Sequence, residues 1–116
     1  MESWQQEFLE RAAREIYAKK GWNVLVLDVR LCPAITDFVI VAEGSADVHV
    51  KAIAHHLLDE MYKQGVRPYA MQGLSEGDWI VMDCLWFVVH LFKPGMSERY
   101  DLESLWRESE LVRISF

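Results

Sequence analysis

Two apolar runs joined by a short proline-containing link constrain the fold of this chain more than any other feature. Residues 24–29 are apolar except for Asp28, and residues 36–42 carry a second run rich in β-branched side chains. Such runs are typical of strands covered on both faces, so the first strand is predicted to be central in its sheet. Because Pro33 cannot donate to a strand ladder and the link is short, we expect a turn and antiparallel pairing.

One predicted helix precedes these two strands in the sequence, and another follows them. Apolar residues recur at helical spacing over residues 4–16, and Gly21 is predicted to end this helix in the left-handed conformation. A second helix is predicted to begin with Ser45 or Asp47 as its N-cap and to end at Gly65. Its expected buried face consists of Val50, Ile53, Ala54, Leu57, Leu58 and Met61.

The rest of the chain completes a mixed α/β pattern. Further strands are predicted at residues 67–72, 79–83 and 86–92. A very tight link is expected at Leu85, and a short final helix at residues 100–107. This order indicates an α/β (α+β) fold in which helices pack on a mixed sheet of about five strands. We predict one domain over residues 1–107 and a tail, 108–116, that either covers the sheet edge or mediates self-association.

The charge balance narrows the class of partner. The 116 residues include 12 Lys and Arg against 18 Asp and Glu, a net charge of −6. This charge opposes the phosphate neutralisation that dominates nucleic-acid binding, so we expect a basic protein partner and little direct nucleic-acid binding. Apolar runs fall far short of the ~20 residues of a membrane span. With no secretory signal pattern at the N-terminus either, we predict no membrane contact and a cytoplasmic location.

Candidate catalytic and metal-binding residues form no complete constellation. The histidines within residues 49–56 lack the HExxH spacing of a helical zinc site, so no metal is predicted. Ser45, His49 and Asp83 supply residue types for acyl transfer, but no pattern fixes their geometry. Gly44-Ser45 resembles a phosphate-cradling turn, yet the later strand offers only Asp83 where two metal ions need an acidic pair. We predict no catalysis and no cofactor, and retain a nucleotide-binding or nucleotidyltransferase-like enzyme as an alternative.

Tryptophan is the most suggestive residue type for binding. The chain has five, more than a small core readily absorbs, and tryptophan is enriched at binding hot spots. Trp4, Trp22 and Trp106 fall where helices are expected to pack on the sheet and are predicted to be core residues. Trp79 follows an acidic loop and Trp86 follows the tight link. For these two, core and interface are equally favoured.

Several stretches, read in order from about residue 5 to residue 107, resemble the RsfS/Iojap family of ribosomal silencing factors. They are Leu27-Asp28-Val29, Ile35-Thr36-Asp37-Phe38-Val39-Ile40, Gly44-Ser45, His49-Val50, Ala52-Ile53-Ala54, Gly73, Asp78-Trp79-Ile80-Val81-Met82-Asp83, Val88-Val89-His90-Leu91-Phe92, Tyr100-Asp101-Leu102-Glu103 and Leu105-Trp106. Each stretch alone is weak, and their common order and spacing carry the resemblance.

The resemblance implies a domain of nucleotidyltransferase-like topology without the catalytic carboxylates. It implies a factor that binds the fourteenth protein of the large ribosomal subunit, blocks joining of the small subunit and represses translation under nutrient limitation. Relatives in plastids and mitochondria are linked to large-subunit assembly, which is the alternative role. The acidic balance of this chain suits a basic ribosomal protein. A homodimer off the ribosome is left open.

The same resemblance places a contact with the partner at Trp79. Together with its surroundings, this predicts a partner-binding site made of Trp79, Asp78, Glu76, Cys84 and Trp86. The chain departs from the family pattern inside this set, because Cys84-Leu85-Trp86 stands where the family commonly has Tyr-Gly-Asp. Bulky apolar residues thereby replace a glycine turn and an acid beside the expected contact.

Overall fold

The structure is a computed structural model that describes residues 2–31 and 36–96 and the backbone of residues 110–111. Its elements, in chain order, are α1 (Ser3–Ala18), β1 (Trp22–Asp28), β2 (Phe38–Glu43), α2 (Asp47–Lys63), β3 (Ala70–Gln72), β4 (Trp79–Asp83), β5 (Phe87–Phe92) and β6 (Glu110–Leu111). The final helix predicted at residues 100–107 lies outside the described residues. Within the described ranges, neither helix combines the length and apolar character that crossing a membrane requires.

A mixed sheet in the order β3-β4-β5-β2-β1-β6 organises the fold. β2 and β5 pair in parallel, whereas the other neighbouring strands pair antiparallel. The predicted mixed sheet of about five strands is therefore confirmed, and the two residues of β6 add a short sixth strand. The antiparallel pairing of β1 with β2, which the short link predicted, is also confirmed.

The main core lies between the sheet and its two helices. α2 buries all six residues that its periodicity predicted, from Val50 to Met61, and α1 faces them with a stripe that runs from Leu9 to Ile16. The strands contribute alternate residues, which in β4 and β5 are Ile80, Met82, Phe87, Val89 and Leu91. Because successive strand residues point to opposite faces, the intervening positions point away from the helices.

β1 is less buried than its apolar sequence predicts. In the part of the chain that the structure describes, its outer neighbour β6 pairs with Leu27 and Asp28 alone, and Trp22 and Leu25 are exposed at 37% and 44%. The prediction of a central strand covered on both faces is wrong for β1. It fits β2, in which every residue except Glu43 is buried. Since β6 lies in the predicted tail, part of that tail covers the sheet edge.

Both helices end near a residue with positive φ, but the first does not end as predicted. The left-handed residue after α1 is Lys20, with φ of 67°, and not Gly21. Gly21 is instead needed for close packing, because a Cβ there would lie 2.5 Å from Cγ2 of Ile16. After α2, Gly65 has φ of 74° and ends the helix as predicted.

The tryptophans predicted to fill the core lie at its border. Trp4 is 57% exposed and Trp22 is 37% exposed, while Trp106 lies outside the described residues. Trp4 belongs to the first turn of α1, and its ring meets that of Trp86 edge-on with centroids 5.2 Å apart. A side chain at the start of a helix reaches only the margin of the sheet, so the core prediction is wrong for Trp4 and Trp22.

Residues 84–86 form the tight link predicted between β4 and β5. The Trp86 amide donates to the Cys84 carbonyl at 3.0 Å, which closes a turn around Leu85. Leu85 has φ of 74°, a conformation that costs a non-glycine residue about 1–2 kcal/mol. Two side chains hold it there: Asp83 Oδ1 accepts from the Leu85 amide at 3.0 Å, and the Thr36 hydroxyl donates to the Leu85 carbonyl at 3.1 Å.

Candidate partner-binding site

Trp79 lies on the face of the sheet opposite the helices. Besides Asp83, which accepts a hydrogen bond from the tight link, four neighbouring side chains on this face are only partly buried: Trp79 and Val81 of β4, and Val88 and His90 of β5. The register places Trp79 beside Phe92 and Val81 beside His90. We call the four partly buried side chains the β4–β5 patch. They form an aromatic and aliphatic surface that continues across two adjacent strands.

Trp79 is anchored by its neighbours although it is not fully buried. Its ring centroid lies 5.6 Å from that of Phe92 and 5.9 Å from that of His90. Its indole N–H donates to Nδ1 of His90 at 3.1 Å. Phe92 is fully buried in a second apolar cluster on this face, with Leu27, Val29, Val39 and Val41. Trp79 thus packs on a buried cluster and still contributes to the surface. It combines the core role and the interface role, which its sequence context favours equally.

His90 is the polar member of the β4–β5 patch. Burial lowers its pKa from 6.5 to about 4, so the imidazole is neutral at neutral pH. An indole nitrogen can only donate. Nδ1 of His90 must therefore be the acceptor, and the ring proton is carried by Nε2. His90 also stacks on Phe92, with ring planes within 8° of parallel.

Acidic residues border the patch where β4 begins. Glu76 is exposed, and its Oε2 accepts a hydrogen bond from the Ser75 hydroxyl at 2.9 Å. Asp78 forms an ion pair with Lys93, with Nζ and Oδ1 2.9 Å apart. The Lys93 amide also donates to the Asp78 carbonyl at 2.9 Å. Lys93 offsets the charge of Asp78, so Glu76 contributes more of the net negative charge beside Trp79.

Two glycines hold the loop of residues 73–78 against its surroundings. Gly73 and Gly77 have φ of 81° and 78°, and the Gly77 amide donates to the Gly73 carbonyl at 2.9 Å. A Cβ on Gly73 would lie 1.9 Å from the carbonyl oxygen of Trp79, and one on Gly77 would lie 2.7 Å from that of Asp47. The close approach requires glycine at both positions and fixes the backbone of Trp79.

The other two predicted site residues lie at the opposite end of β4 and on the opposite face. Cys84 and Trp86 are about 15 Å along the strand from Trp79, and both pack in the helix-side core. Burial, with a smaller contribution from a neighbouring carboxylate, raises the pKa of the Cys84 thiol to about 12, which makes it unreactive. Of the predicted set, the structure brings together only Trp79, Asp78 and Glu76.

Ser45 and His49 are in contact, with the Ser45 hydroxyl 3.1 Å from Nδ1 of His49, and His49 also connects secondary-structure elements. Nε2 of His49 lies 2.7 Å from the Lys19 carbonyl oxygen, which can only accept, so Nε2 donates and Nδ1 accepts. Nδ1 receives the Ser45 amide at 2.8 Å. Ser45 therefore contacts His49 and does not cap α2. The N-cap of α2 is Ala46, which makes no side-chain hydrogen bond, so the prediction that Ser45 or Asp47 is the N-cap is wrong. Asp83 lies at the other end of the sheet, so the three residues form no triad.

Among the residues that the structure describes, one trio brings metal-ligand atom types within 4.8 Å of one another: Glu15, His56 and Glu60. Nε2 of His56 lies 2.9 Å from a Glu15 oxygen. Glu60 pairs with Lys63 at 3.0 Å and with Arg11 at 3.8 Å. These atoms already take part in polar contacts that link α1 to α2. The absence of bound zinc stays a prediction.

Sequence reasoning missed three residues that shape this site. Val81, Val88 and His90 share a face with Trp79, and the alternation of β4 and β5 was a signal that could have found them. The ion pair between Asp78 and Lys93 depends on the cross-strand register. No local pattern in the sequence indicates that contact.

Known proteins resemble the chain over most of its length. A sequence model of the family described as "Ribosomal silencing factor during starvation" matches residues 2–115. A ribosomal silencing factor from Bacillus subtilis is 30% identical over 112 residues, covering 97% of this chain and 95% of that protein. Mitochondrial assembly of ribosomal large subunit protein 1 of Mus musculus is 35% identical over 88 residues, 72% of this chain and 38% of that protein. A crystal structure of a Bacillus halodurans protein matches with a TM-score of 0.82 and 29% identity, covering 94% of this chain and 99% of that one.

Replacing Gly73 is expected to disturb the site more than replacing Gly65, although both have positive φ. Gly65→Ala meets no atom within 4 Å and should cost about 1–2 kcal/mol through its backbone conformation alone. Gly73→Ala adds a clash with the Trp79 carbonyl and should cost roughly 3 kcal/mol or more. Denaturant unfolding measures both values. Equal losses would contradict the close approach.

The depressed pKa of His90 predicts a specific loss of stability in acid. The unfolded chain binds a proton at this residue below pH 6.5, whereas the folded chain resists it until about pH 4. The contribution of His90 is therefore complete above pH 6.5 and declines as the pH falls through this window, by up to about 3 kcal/mol. The unfolding free energy of the wild type, measured from pH 7 to pH 4, should fall by this amount relative to that of His90→Phe. Parallel curves would show that His90 is not protected from protonation.

Proposed function

The chain belongs to the ribosomal silencing factor family, and from this premise we propose that it binds the large ribosomal subunit through that subunit's fourteenth protein and blocks joining of the small subunit. The family consists of regulatory factors, which confirms the prediction that the chain is not an enzyme. The description of the family supports a role for the chain in repressing translation during starvation. The cytoplasm is its expected place of action.

The observation that carries this proposal is the partly exposed, anchored ring of Trp79. Binding hot spots are enriched in tryptophan, and they combine a large contact area with exclusion of water. Trp79 packs on the buried ring of Phe92 and is hydrogen-bonded to His90, so little side-chain freedom remains to be lost on binding. Val81 and Val88 extend the apolar surface around it.

Charge supports a basic protein as the occupant of this surface. The chain carries a net charge of −6, and Glu76 and Asp78 lie beside Trp79 in sequence and at the start of β4. An acidic border attracts a basic partner over long range and raises the association rate. The same charge repels ribosomal RNA and thereby favours a protein contact within the subunit. We restrict the proposed site to Trp79, Asp78 and Glu76 with the β4–β5 patch, because Cys84 and Trp86 lie elsewhere.

Steric occlusion is the mechanism that fits a protein of this kind. The fold measures 34 × 33 × 27 Å along its principal axes. A standard interface buries roughly 800 Å² on each partner, which leaves most of such a body projecting from the surface it occupies. If that surface is where the small subunit joins, binding and joining exclude each other without any chemical step.

A role in large-subunit assembly is the second candidate, and the name of the Mus musculus relative favours it. Both roles use the same docking site and differ in the particle that is bound. Sucrose-gradient profiles of cells that express a tagged copy distinguish them: silencing predicts mature large subunits, and assembly predicts immature particles. The nucleotide-binding alternative is disfavoured because the Ser45 amide already donates to Nδ1 of His49.

Trp79→Ala is the most direct test of the docking site. We expect a loss of about 2–4 kcal/mol in binding to purified large subunits, or ~30-fold or more in Kd. Because the ring packs on Phe92 but is only partly buried, stability should fall by less than the roughly 3–5 kcal/mol that truncating a fully buried tryptophan costs. Leu91→Ala, on the helix-side face, is the matched control: it should lose about 2–5 kcal/mol of stability while its folded fraction binds normally. Co-sedimentation and thermal unfolding measure both quantities. Wild-type affinity in folded Trp79→Ala would exclude this site.

The acidic border predicts a dependence on salt and on the position of charge. Association should slow as salt rises, because ions screen charges beyond ~8 Å at physiological strength. At low salt, Glu76→Lys should slow association by about 3- to 10-fold. Glu7→Lys makes the same change in net charge on the exposed side of α1 and should change it less than about twofold. Equal effects of the two variants would mean that overall charge, and not the border of the patch, guides binding.

A further inference from the structure

His90 contacts Trp79 in two ways at once. It accepts the indole N–H at 3.1 Å, and its ring stacks against the indole at an interplanar angle of 30°. We propose that His90 is a positioning residue, which holds the Trp79 ring in the orientation that the ribosomal partner contacts. This inference rests on the proposed function for its purpose, but the contact itself can be tested without a ribosome.

The direction of the hydrogen bond makes His90 specific for this task. The indole nitrogen has a proton and no accepting lone pair, so only an acceptor at this place satisfies it. A neutral histidine with its proton on Nε2 provides that acceptor through Nδ1. Burial keeps the ring neutral, because it lowers the pKa of His90 to about 4. The bond is therefore available throughout the neutral range, and Lys or Arg at residue 90 would supply no acceptor.

Ring packing adds an orientational constraint that a hydrogen bond alone does not provide. His90 is nearly parallel to Phe92, which is fully buried. The Trp79 ring lies against both, with centroids 5.9 and 5.6 Å away. Phe92 thus fixes His90, and the two rings together restrict the rotamers of Trp79. A ring that is already ordered loses less freedom on binding than one that first has to be selected.

The same bond indicates which chemical group of the partner meets Trp79. Because the indole N–H is already engaged with His90, the partner does not need to offer a hydrogen-bond acceptor there. The ring surface favours an apolar side chain or a Lys or Arg cation placed over it. With Glu76 and Asp78 nearby, a cationic group is the better match. Trp79 would then contact its partner through its ring surface and not through its nitrogen.

Hydrogen exchange at the indole nitrogens tests the contact in the wild-type protein. Proton–nitrogen NMR resolves the indole signals, and Trp4, which is 57% exposed, is the internal reference. We expect the Trp79 N–H to exchange about tenfold more slowly than that of Trp4, or slower still. His90→Phe keeps a ring and removes the acceptor, and should abolish this protection. His90→Asn places an oxygen near the position of Nδ1 and should restore part of it. Similar exchange of Trp79 and Trp4 in the wild type would overturn the proposal, and needs no variant to fold.

A double-mutant cycle then links the contact to binding. His90→Phe should weaken binding to purified large subunits by about 3- to 10-fold, but by less than about twofold when Trp79→Phe has already removed the indole N–H. The same loss in both backgrounds would mean that His90 acts by another route and would overturn the proposal. If the wild type binds no large subunit, the proposed function fails, and the exchange rates alone decide whether His90 positions Trp79.

Discussion

The backbones of β2 and β5 run side by side in parallel, from Phe38 beside Phe87 to Glu43 beside Phe92, and the rest of the fold depends on this pairing. Parallel neighbours cannot be joined by a hairpin, so the chain must leave β2, cover one face and return. It returns through α2, β3 and β4, which places β4 next to β5. Alternate residues of β4 then face α2, and the remaining ones, beginning with Trp79, face the opposite side.

Sequence patterns predict the parts of this arrangement whose signals are local. The apolar stripe of α2 predicts its six buried residues, and β4 is predicted with its observed bounds because a glycine loop and a tight turn delimit it. Burial that depends on a distant segment is not predicted. β1 is as apolar as β2, yet Leu25 is exposed, and among the described residues β6 pairs with the far end of the strand alone. The prediction that Trp4 is a core residue is wrong for a similar reason. Its place at the start of α1, and not its residue type, sets its exposure.

The candidate site also combines features that local sequence signals predict with features that depend on distant segments. Sequence proximity groups Cys84 and Trp86 with Trp79, but the length of β4 and the alternation of its side chains put them at another end and on another face. The acidic border lies next to Trp79 because loop 73–78 leads directly into the strand. The hydrogen bond from Trp79 to His90 joins residues 11 positions apart. Only the antiparallel register of β4 and β5 brings them together, and the sequence alone does not specify that register.

The departures of this chain from its family's pattern can be understood from the same geometry. At Leu85 the family resemblance implies a glycine, and the left-handed backbone costs the leucine about 1–2 kcal/mol. Hydrogen bonds to Asp83 and from Thr36 hold that conformation, and Trp86 packs with the ring of Trp4 at the same end of the sheet. Through that contact, the altered turn takes part in the packing of α1 on the sheet. This end of the sheet is about 15 Å from Trp79. The proposed binding surface on the other face is left with the Trp79 that the family resemblance implies.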